Sequence, residues 1–232
     1  MLKMYLKDIV ANYLPNIKLN HDFLIIGVTG NVASGKSTFA SYLKKELQKT
    51  FLFDQIETLS TDDFLYTNDY LINHNLFNKK GWLESYDFNK ITNFFNDLNQ
   101  NEKAVLNGKY NQQIGDMNQT NYLIKKPTVL ILEGTMVLTP LFEEYIDLSI
   151  FLEVDLETNY KWFKGRSLEN LKYKKEYAHL SVDEASEVIE TIWSDVNLKT
   201  FFNYIEPYKE NATIKISVNE FHEIEKLAFQ GN

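Results

Sequence analysis

The sequence predicts an α/β fold built on a doubly wound, mostly parallel sheet with helices on both faces. Three observations support this class: short apolar runs alternate with helical patterns, a glycine-rich loop joins the first run to a helix, and carboxylates follow two later runs. Strands that alternate with helices of this length form βαβ units. A chain of 232 residues can bury the core of one such domain, so we expect a single domain over residues 1–232.

The predicted elements begin with a helical lead-in over residues 1–20, where the spacing of apolar side chains predicts an amphipathic helix from 2 to 14. The apolar run at 23–28 is typical of a parallel strand that is buried on both faces. Residues 106–122 are rich in Asn, Gln and Gly and form either a small hairpin or a long loop. Further strands are predicted at 55–60, 128–132, 147–154 and 213–217, and further helices at 36–49, 91–98, 156–177, 181–198 and 220–229.

The composition excludes several classes of function. Because the chain has no cysteine, it has neither a disulfide nor a thiolate that could bind a metal or act as a nucleophile. Its net charge of −8 disfavours nucleic acid as a partner, because phosphate backbones attract basic surfaces. No apolar run is long enough to span a bilayer, and Lys3, Lys7 and Asp8 stand where a signal peptide would be apolar. We therefore expect a cytoplasmic protein that acts on a small molecule, with no nucleic-acid or membrane partner.

The glycine-rich loop carries the firmest functional prediction. Residues 30–37 match G-x-x-x-x-G-K-[ST] between a predicted strand and a predicted helix, which is the context that a phosphate-binding loop requires. Its glycines allow a tight turn whose N–H groups face phosphate oxygens, Lys36 can reach the β- and γ-phosphates, and Ser37 can hold Mg²⁺. We predict that ATP with Mg²⁺ binds on Gly30, Asn31, Val32, Ala33, Ser34, Gly35, Lys36, Ser37 and Thr38.

Two predicted strands are followed by carboxylates that could serve phosphoryl transfer. Asp62 and Asp63 follow the strand at 55–60, and ligands of doubly wound sheets gather at the carboxyl ends of strands. A carboxylate beside the γ-phosphate can accept the proton of an attacking hydroxyl; alternatively, the two acids only form a turn or a helix cap. Glu133 follows the strand at 128–132, where it either binds Mg²⁺ through water or is an ordinary surface carboxylate.

The single arginine of the chain, Arg166, lies within the helix predicted at 156–177. Its five N–H donors suit a transferring phosphoryl group, as in the lids of kinases, whereas the alternative is a solvated arginine on a helix. The loop alone does not separate a kinase from a GTPase or a motor ATPase. The sequence lacks N-K-x-D, the motif that recognises guanine in GTPases, and this favours a kinase.

Five stretches of the chain resemble type I bacterial pantothenate kinase, in the P-loop kinase group that also contains uridine kinase and phosphoribulokinase. They are IIGVTGNVASGKST at 25–38, LSTDDFLYTN at 59–68, KKGWLESYDF at 79–88, LILEGTMVL at 130–138 and IWSDVN at 192–197. The stretch at 79–88 favours pantothenate over a nucleoside, since uridine kinases lack it. The resemblance implies a P-loop kinase-like fold, phosphorylation of the primary hydroxyl of pantothenate as the first step of coenzyme A biosynthesis, and a homodimer.

The resemblance also implies roles for individual residues. Asp62 is expected to be the catalytic base toward the substrate hydroxyl, while Lys36 and Arg166 are expected to stabilise the transferring phosphoryl group. The side chains expected to line the substrate pocket are Asp62, Tyr110, Gln112, Phe163 and Asn197.

Two departures from the family pattern keep other functions open. The family usually has histidine where this chain has Gln112, and tyrosine where it has Phe163. Uridine kinase or another small-alcohol kinase is therefore the alternative among enzymes. A nucleotide-dependent regulatory module that has lost turnover is the alternative outside enzymes, and the intact Lys36 and Asp62 argue against it.

Overall fold

The computed structural model describes Ile9, Leu19 and residues 22–51, 55–171 and 179–230. Apart from Ile9 and Leu19, the lead-in predicted over residues 1–20 lies outside the described residues, as do the last turns of the helix predicted at 156–177. Ile9 is buried among apolar side chains that pack on the central sheet.

Six of the ten strands found in the described residues form the central sheet, in the order β10-β9-β8-β1-β7-β2. Neighbouring strands pair in parallel from β2 through β7, β1 and β8 to β9, whereas β10 is antiparallel to β9. The doubly wound, mostly parallel sheet predicted from the sequence is therefore confirmed. The strands are β1 Leu24–Gly30, β2 Ile56–Ser60, β3 Lys103–Asn107, β4 Tyr110–Asn111, β5 Asp116–Met117, β6 Asn121–Lys125, β7 Val129–Glu133, β8 Leu148–Glu153, β9 Ile214–Val218 and β10 Ile224–Phe229.

The described helices follow the sequence prediction at most positions. They are α1 Lys36–Phe51, α2 Asn68–Asn73, α3 Phe88–Gln100, α4 Leu156–Leu171, α5 Val182–Ile192 and α6 Leu198–Thr200. Two π-helical turns, Trp193–Asn197 and Phe201–Ile205, flank α6. Short 3₁₀ turns cover Thr61–Phe64, Phe77–Lys79, Leu83–Ser85, Glu143–Tyr145 and Glu206–Asn211.

Alternate residues of the central strands point to opposite faces of the sheet, because successive side chains of a strand alternate. In β1, Ile25 packs into one core and Ile26 into the other. Leu43 of α1 covers the second face, and Phe94 of α3 covers the first. Burial of apolar surface on both faces thus places helices on both sides of the sheet.

The segment between α3 and β7 folds as two nested hairpins. β3 pairs with β6 in antiparallel register, and β4 pairs with β5 further along the same arm. Of the two structures predicted for residues 106–122, the hairpin is the one observed. The inner hairpin carries Tyr110 and Gln112 toward the end of β2, where Tyr110 N donates to Asp63 Oδ1 at 2.9 Å.

The predicted closing helix at 220–229 is wrong. Residues 224–229 form β10, which pairs with β9 from Ile224↔Val218 to Phe229↔Ile214. The turn between the strands is held by Asn219, whose Oδ1 accepts from the backbone N–H groups of Phe221 and Glu223. His222 adopts a left-handed φ of +61° in this turn. The hydrogen bonds of Asn219 stabilise the turn, and β9 offers an edge with which the next segment can pair. These two interactions favour a strand although the apolar residues have helical spacing.

None of the helices in the described ranges is both long and apolar enough to cross a bilayer.

A close approach of two strand ends depends on Gly134, which follows β7. Gly134 has a φ of +155°, and a Cβ built on it would lie 1.8 Å from Thr61 Oγ1 at the end of β2. Any side chain at this position would therefore push the ends of β2 and β7 apart.

We expect Gly134→Ala to lower the free energy of unfolding by at least about 2 kcal/mol, because the added methyl group overlaps Thr61 and L residues rarely adopt this φ. The matched control is Gly165→Ala on α4, where a Cβ meets nothing within 4 Å and alanine is favoured by up to about 1 kcal/mol. Urea unfolding followed by circular dichroism measures both changes. Equal stability of the two variants would contradict the close approach.

Candidate active site

The loop after β1 has the backbone of a phosphate-binding loop. Gly30 has a φ of +145° and a Cβ built on it would lie 2.4 Å from the carbonyl oxygen of Leu152, so only glycine fits. Gly35 has a φ of +89° and Ala33 a φ of +60°. This succession of left-handed and right-handed conformations turns the chain so that several N–H groups face one point at the start of α1.

Polar atoms of this loop lack partners in the part of the chain that the structure describes. Asn31 Nδ2 and Ser34 Oγ are buried and make no hydrogen bond there. An unpaired buried donor costs free energy, so such donors indicate a site for an external acceptor. The oxygens of a phosphate chain fit this requirement, and the positive potential at the start of α1 adds to it.

Lys36 lies buried at the start of α1, where its Nζ donates to the carbonyl oxygen of Asn31 at 2.7 Å. Burial lowers the pKa of its ammonium group to about 8. The negative charges of Glu133 and Asp62 oppose this decrease, and the positive charge of Arg166 adds to it. The lysine is therefore held next to two carboxylates and an arginine, as expected for a group that contacts a highly charged ligand.

Ser37 and Glu133 are brought together although they lie 96 residues apart. Ser37 Oγ donates to Glu133 Oε1 at 2.9 Å. Burial raises the pKa of the Glu133 carboxyl, and Lys36 acts against that rise. A hydroxyl and a single carboxylate, both oxygen donors, are the kind of protein ligands that Mg²⁺ uses when phosphates and water complete its shell.

The two adjacent aspartates at the end of β2 have different environments. Asp63 Oδ2 accepts from Ser60 N at 3.0 Å, which caps the turn at Thr61–Phe64, and Asp63 Oδ1 accepts from Tyr110 N. Asp63 therefore caps this turn, which is the structural role expected from the sequence as the alternative to a catalytic one. Asp62 accepts no backbone N–H in the described structure and lines a cavity instead.

The Asp62 carboxylate is contacted by two neutral side chains. Tyr86 Oη donates to Oδ1 at 3.3 Å, and Gln112 Nε2 donates to Oδ2 at 3.4 Å. Partial burial raises the pKa of Asp62, while Lys36 acts against the rise and Asp63 adds to it. A carboxylate with a raised pKa and a face toward a cavity is suited to accept a proton.

Two cavities meet at the exposed side chain of Arg166, which lines both of them. The first, of about 360 Å³, lies over the loop and is lined by Ala33, Gly35, Lys36, Ser37, Thr38, Trp162, Arg166 and His222. The second, of about 420 Å³, contains Asp62 and all the other predicted substrate residues, namely Tyr110, Gln112, Phe163 and Asn197. Asn31 and Val32, predicted to bind nucleotide, border the second cavity.

The second cavity is closed by α4 and by the π-helical turns around α6. Phe163 of α4 is buried and packs against Trp193, with ring centroids 5.4 Å apart. The turn at Trp193–Asn197 carries Asn197, whose Nδ2 is buried without a hydrogen-bond partner in the described structure. Widened helical turns of this type often occur at functional sites, and an unpaired amide donor here indicates a ligand acceptor.

Sequence reasoning missed three residues that the structure places at the site. The indole of Trp162 and the imidazole of His222 stack with ring centroids 3.9 Å apart beside the loop. Trp162 could have been found from its i, i+4 spacing to Arg166, but His222 could not, because its turn was predicted as helix. Asn159 is fully buried, and its Nδ2 donates to the carbonyl oxygen of Val32 at 2.7 Å, which ties α4 to the loop.

The fold and the two joined cavities define a P-loop phosphotransferase that acts on an alcohol group. One cavity contains the glycine-rich loop and Lys36, the other contains the Asp62 carboxylate, and Arg166 lines both. Residues 25–225 match the sequence model of the "Phosphoribulokinase / Uridine kinase family". The chain is therefore a member of this family. Membership implies ATP as the phosphoryl donor.

Individual relatives support the same assignment. The chain is 32% identical over 236 residues to a protein named pantothenate kinase from Lacticaseibacillus casei, covering 95% of this chain and 77% of the relative. It is 33% identical over 230 residues to a pantothenate kinase of Streptococcus thermophilus, covering 93% and 74%. D-glycerate 3-kinase from Cryptococcus neoformans shares the fold, with a TM-score of 0.68, 15% identity and 99% coverage of both chains.

The affinity for ATP should depend on the protonation of Lys36. Because its pKa is about 8, we expect the dissociation constant for ATP to rise about tenfold between pH 7 and pH 9, as the ammonium group loses its proton. Isothermal titration calorimetry at a series of pH values measures this change.

Two variants serve as controls for the pH dependence. Lys36→Arg keeps its charge through pH 9 and should show a flat profile. Lys90→Met should keep the dependence, since Lys90 also has a pKa lowered to about 8 but lies outside the cavity over the loop. An unchanged wild-type affinity between pH 7 and pH 9 would contradict this role of Lys36.

Proposed function

We propose that this chain transfers the γ-phosphoryl group of ATP to the primary hydroxyl of pantothenate, the first step of coenzyme A biosynthesis. The observation that carries the proposal is the second cavity, in which five side chains expected from the sequence surround one space that opens at Arg166 onto the loop. The relatives named pantothenate kinase support the choice of acceptor.

The lining of the second cavity is complementary to pantothenate. This acceptor carries hydroxyls, an amide and a carboxylate, so it needs hydrogen-bond donors, acceptors and a positive charge. Asn197 offers an unpaired amide donor, and Lys80 brings an ammonium group to the same wall, 5.0 Å from the centre of the Tyr110 ring. The primary hydroxyl would donate to Asp62, which is the carboxylate among the described residues that line this cavity.

The proposed reaction is an in-line displacement. The oxygen of the primary hydroxyl attacks the γ-phosphorus and forms the new P–O bond, while the bond to the oxygen that bridges the β- and γ-phosphates breaks and ADP leaves. Asp62 accepts the hydroxyl proton. Lys36, which lines the cavity over the loop, and Arg166, which lines both cavities, stabilise the charge on the transferring group.

Ser37 and Glu133 are the proposed protein ligands of Mg²⁺, with Glu133 acting directly or through water. Their contact at 2.9 Å at the end of β7 places both oxygens at the start of α1, next to the phosphate site. A bound Mg²⁺ would neutralise charge on the phosphate oxygens, which is its usual contribution to phosphoryl transfer.

Uridine kinase or another small-alcohol kinase stays the second candidate, because of two residues in the acceptor cavity. Gln112 and Phe163 stand where the pantothenate kinase family has a histidine and a tyrosine, and both line the cavity. The buried Phe163 offers no hydroxyl, so one polar contact expected for pantothenate is replaced by an apolar ring.

The wider setting of the enzyme follows from the same proposal. We expect one kinase domain over residues 1–232, a cytoplasmic location and a homodimer. These expectations rest on the resemblance and the composition rather than on a contact in the structure.

The acceptor is tested by a coupled assay of ADP release with pantothenate, uridine and cytidine at equal concentrations. We expect turnover with pantothenate, and we expect Asp62→Asn to lower kcat by about 100-fold or more while the KM for ATP stays unchanged. The control Asp97→Asn makes the same charge change on an exposed face of α3 and should not alter kcat. Turnover with a nucleoside alone would replace pantothenate by the second candidate, and full activity of Asp62→Asn would contradict the base.

The metal site is tested by Glu133→Gln. We expect the Mg²⁺ concentration for half-maximal rate to rise about tenfold, because a neutral amide is a poorer ligand for Mg²⁺. Glu153→Gln is a matched control, since Glu153 ends the parallel strand β8 but pairs with Lys209 instead. An equal Mg²⁺ requirement in both variants would contradict the role of Glu133.

A further inference from the structure

We propose that Tyr86 is a positioning residue that orients the Asp62 carboxylate, so that Oδ2 is the oxygen that accepts the substrate proton. The observation is the hydrogen bond from Tyr86 Oη to Asp62 Oδ1 at 3.3 Å, from a side chain that is only 3% exposed. This inference rests on the proposed function of Asp62 as the base. It assigns Tyr86, within the stretch KKGWLESYDF, a function beyond packing.

The backbone holds Tyr86 rigidly beside the turn that carries Asp62. Tyr66 N donates to the carbonyl oxygen of Ser85 at 3.0 Å, and Asp87 N donates to that of Phe64 at 2.9 Å. These two bonds flank an antiparallel bridge between Leu65 and Tyr86. The segment that contains Tyr86 is therefore fastened to the residues that directly follow the base.

The ring of Tyr86 is fixed by the core on the same face of the sheet. It packs edge-on against Phe142, with ring centroids 6.1 Å apart and an interplanar angle of 84°. Both rings belong to the core that α3 covers. A side chain confined in this way has little rotational freedom, so its hydroxyl is delivered to one place at low entropic cost.

The hydroxyl of Tyr86 donates to Asp62 and also lies within hydrogen-bonding reach of the side chains of Thr61 and Thr135. Burial raises the pKa of the phenol well above its ordinary value, and the negative charge of Asp62 raises it further. The phenol therefore keeps its proton at neutral pH, and it does not compete with Asp62 as a base. A fixed donor on Oδ1 also favours the charged form of the carboxylate.

The two oxygens of Asp62 consequently have different roles. Oδ1 is occupied by the core-anchored hydroxyl of Tyr86. Oδ2 faces the exposed Gln112, whose amide is 3.4 Å away and belongs to the wall of the acceptor cavity. An acceptor hydroxyl that enters the cavity can reach Oδ2 by replacing or sharing this long hydrogen bond, whereas Oδ1 is covered from the core side.

The charges around Asp62 come from side chains other than Tyr86. They belong to Lys36, Asp63, Lys80, Glu133 and Arg166. Tyr86→Phe leaves all five in place and keeps the ring, so a change in the behaviour of Asp62 reports the loss of the hydroxyl.

The test compares Tyr86→Phe with Tyr145→Phe. Tyr145 is a second buried tyrosine of the same core, stacked on Phe95 at 4.2 Å and not in contact with Asp62 in the described hydrogen bonds. For Tyr86→Phe we expect kcat to fall about tenfold with both KM values unchanged, and the acid limb of the kcat/KM profile to move to higher pH. For Tyr145→Phe we expect wild-type kinetics, and identical kinetics in the two variants would overturn the proposal.

A second measurement does not depend on turnover and separates this inference from the proposed function. The protein is prepared with ¹³C-labelled aspartate. The carboxyl resonance that is present in the wild type and missing from Asp62→Asn is assigned to Asp62. At pH 7 we expect it to be displaced in Tyr86→Phe and to superimpose on the wild type in Tyr145→Phe. If no alcohol is phosphorylated, the proposed function fails, but this spectrum still shows whether Tyr86 contacts Asp62. An undisplaced Asp62 resonance in Tyr86→Phe overturns the present proposal.

Discussion

The register between three parallel strands is the constraint on which the active site depends. Val28 of β1 and Ser60 of β2 both pair with Glu133 of β7, so β2 and β7 end level with one another and β1 continues past them to Gly30. The glycine-rich loop follows β1, the proposed base Asp62 follows β2, and the proposed Mg²⁺ ligand Glu133 is the last residue of β7. A slip of one residue in any strand would reverse the faces of its side chains and separate these groups. Gly134 makes the level ending possible, because no other residue fits against Thr61.

This register gathers opposite charges in a partly buried place. Lys36 lies near Glu133 and Asp62: the two carboxylates limit the decrease that burial causes in the pKa of Lys36, and Lys36 limits the increase that burial causes in the pKa of each carboxylate. Arg166 on α4 brings a further positive charge from the opposite side of the cleft. Without a ligand the site therefore holds charges that are only partly compensated. A phosphate chain and a cation would complete that compensation, which supports the proposal that the same groups bind the donor and stabilise the transferring phosphoryl group.

The sequence was sufficient for the five parallel strands of the central sheet and for the glycine-rich loop, because each leaves a local pattern. Apolar runs mark the parallel strands, and glycines with Lys36 mark the phosphate site. It was insufficient where structure depends on distant partners. The prediction of a closing helix at 220–229 was wrong because the spacing of apolar residues does not show that β9 has an edge available for pairing. His222 was missed for the same reason. The contact of Asn159 with Val32 spans 127 residues and leaves no pattern at all. The separate roles of Asp62 and Asp63 became distinguishable only through the N–H groups that Asp63 accepts.

The central claim is that donor and acceptor meet at Asp62. A crystal structure of the protein with a non-hydrolysable ATP analogue and pantothenate tests it most directly. We expect the triphosphate on the loop beside Lys36 and the primary hydroxyl of pantothenate about 2.6–3.2 Å from Asp62 Oδ2, with Asp63 still accepting from Tyr110 N. Pantothenate outside the cavity that contains Asn197, or its primary hydroxyl on a residue other than Asp62, would contradict the account.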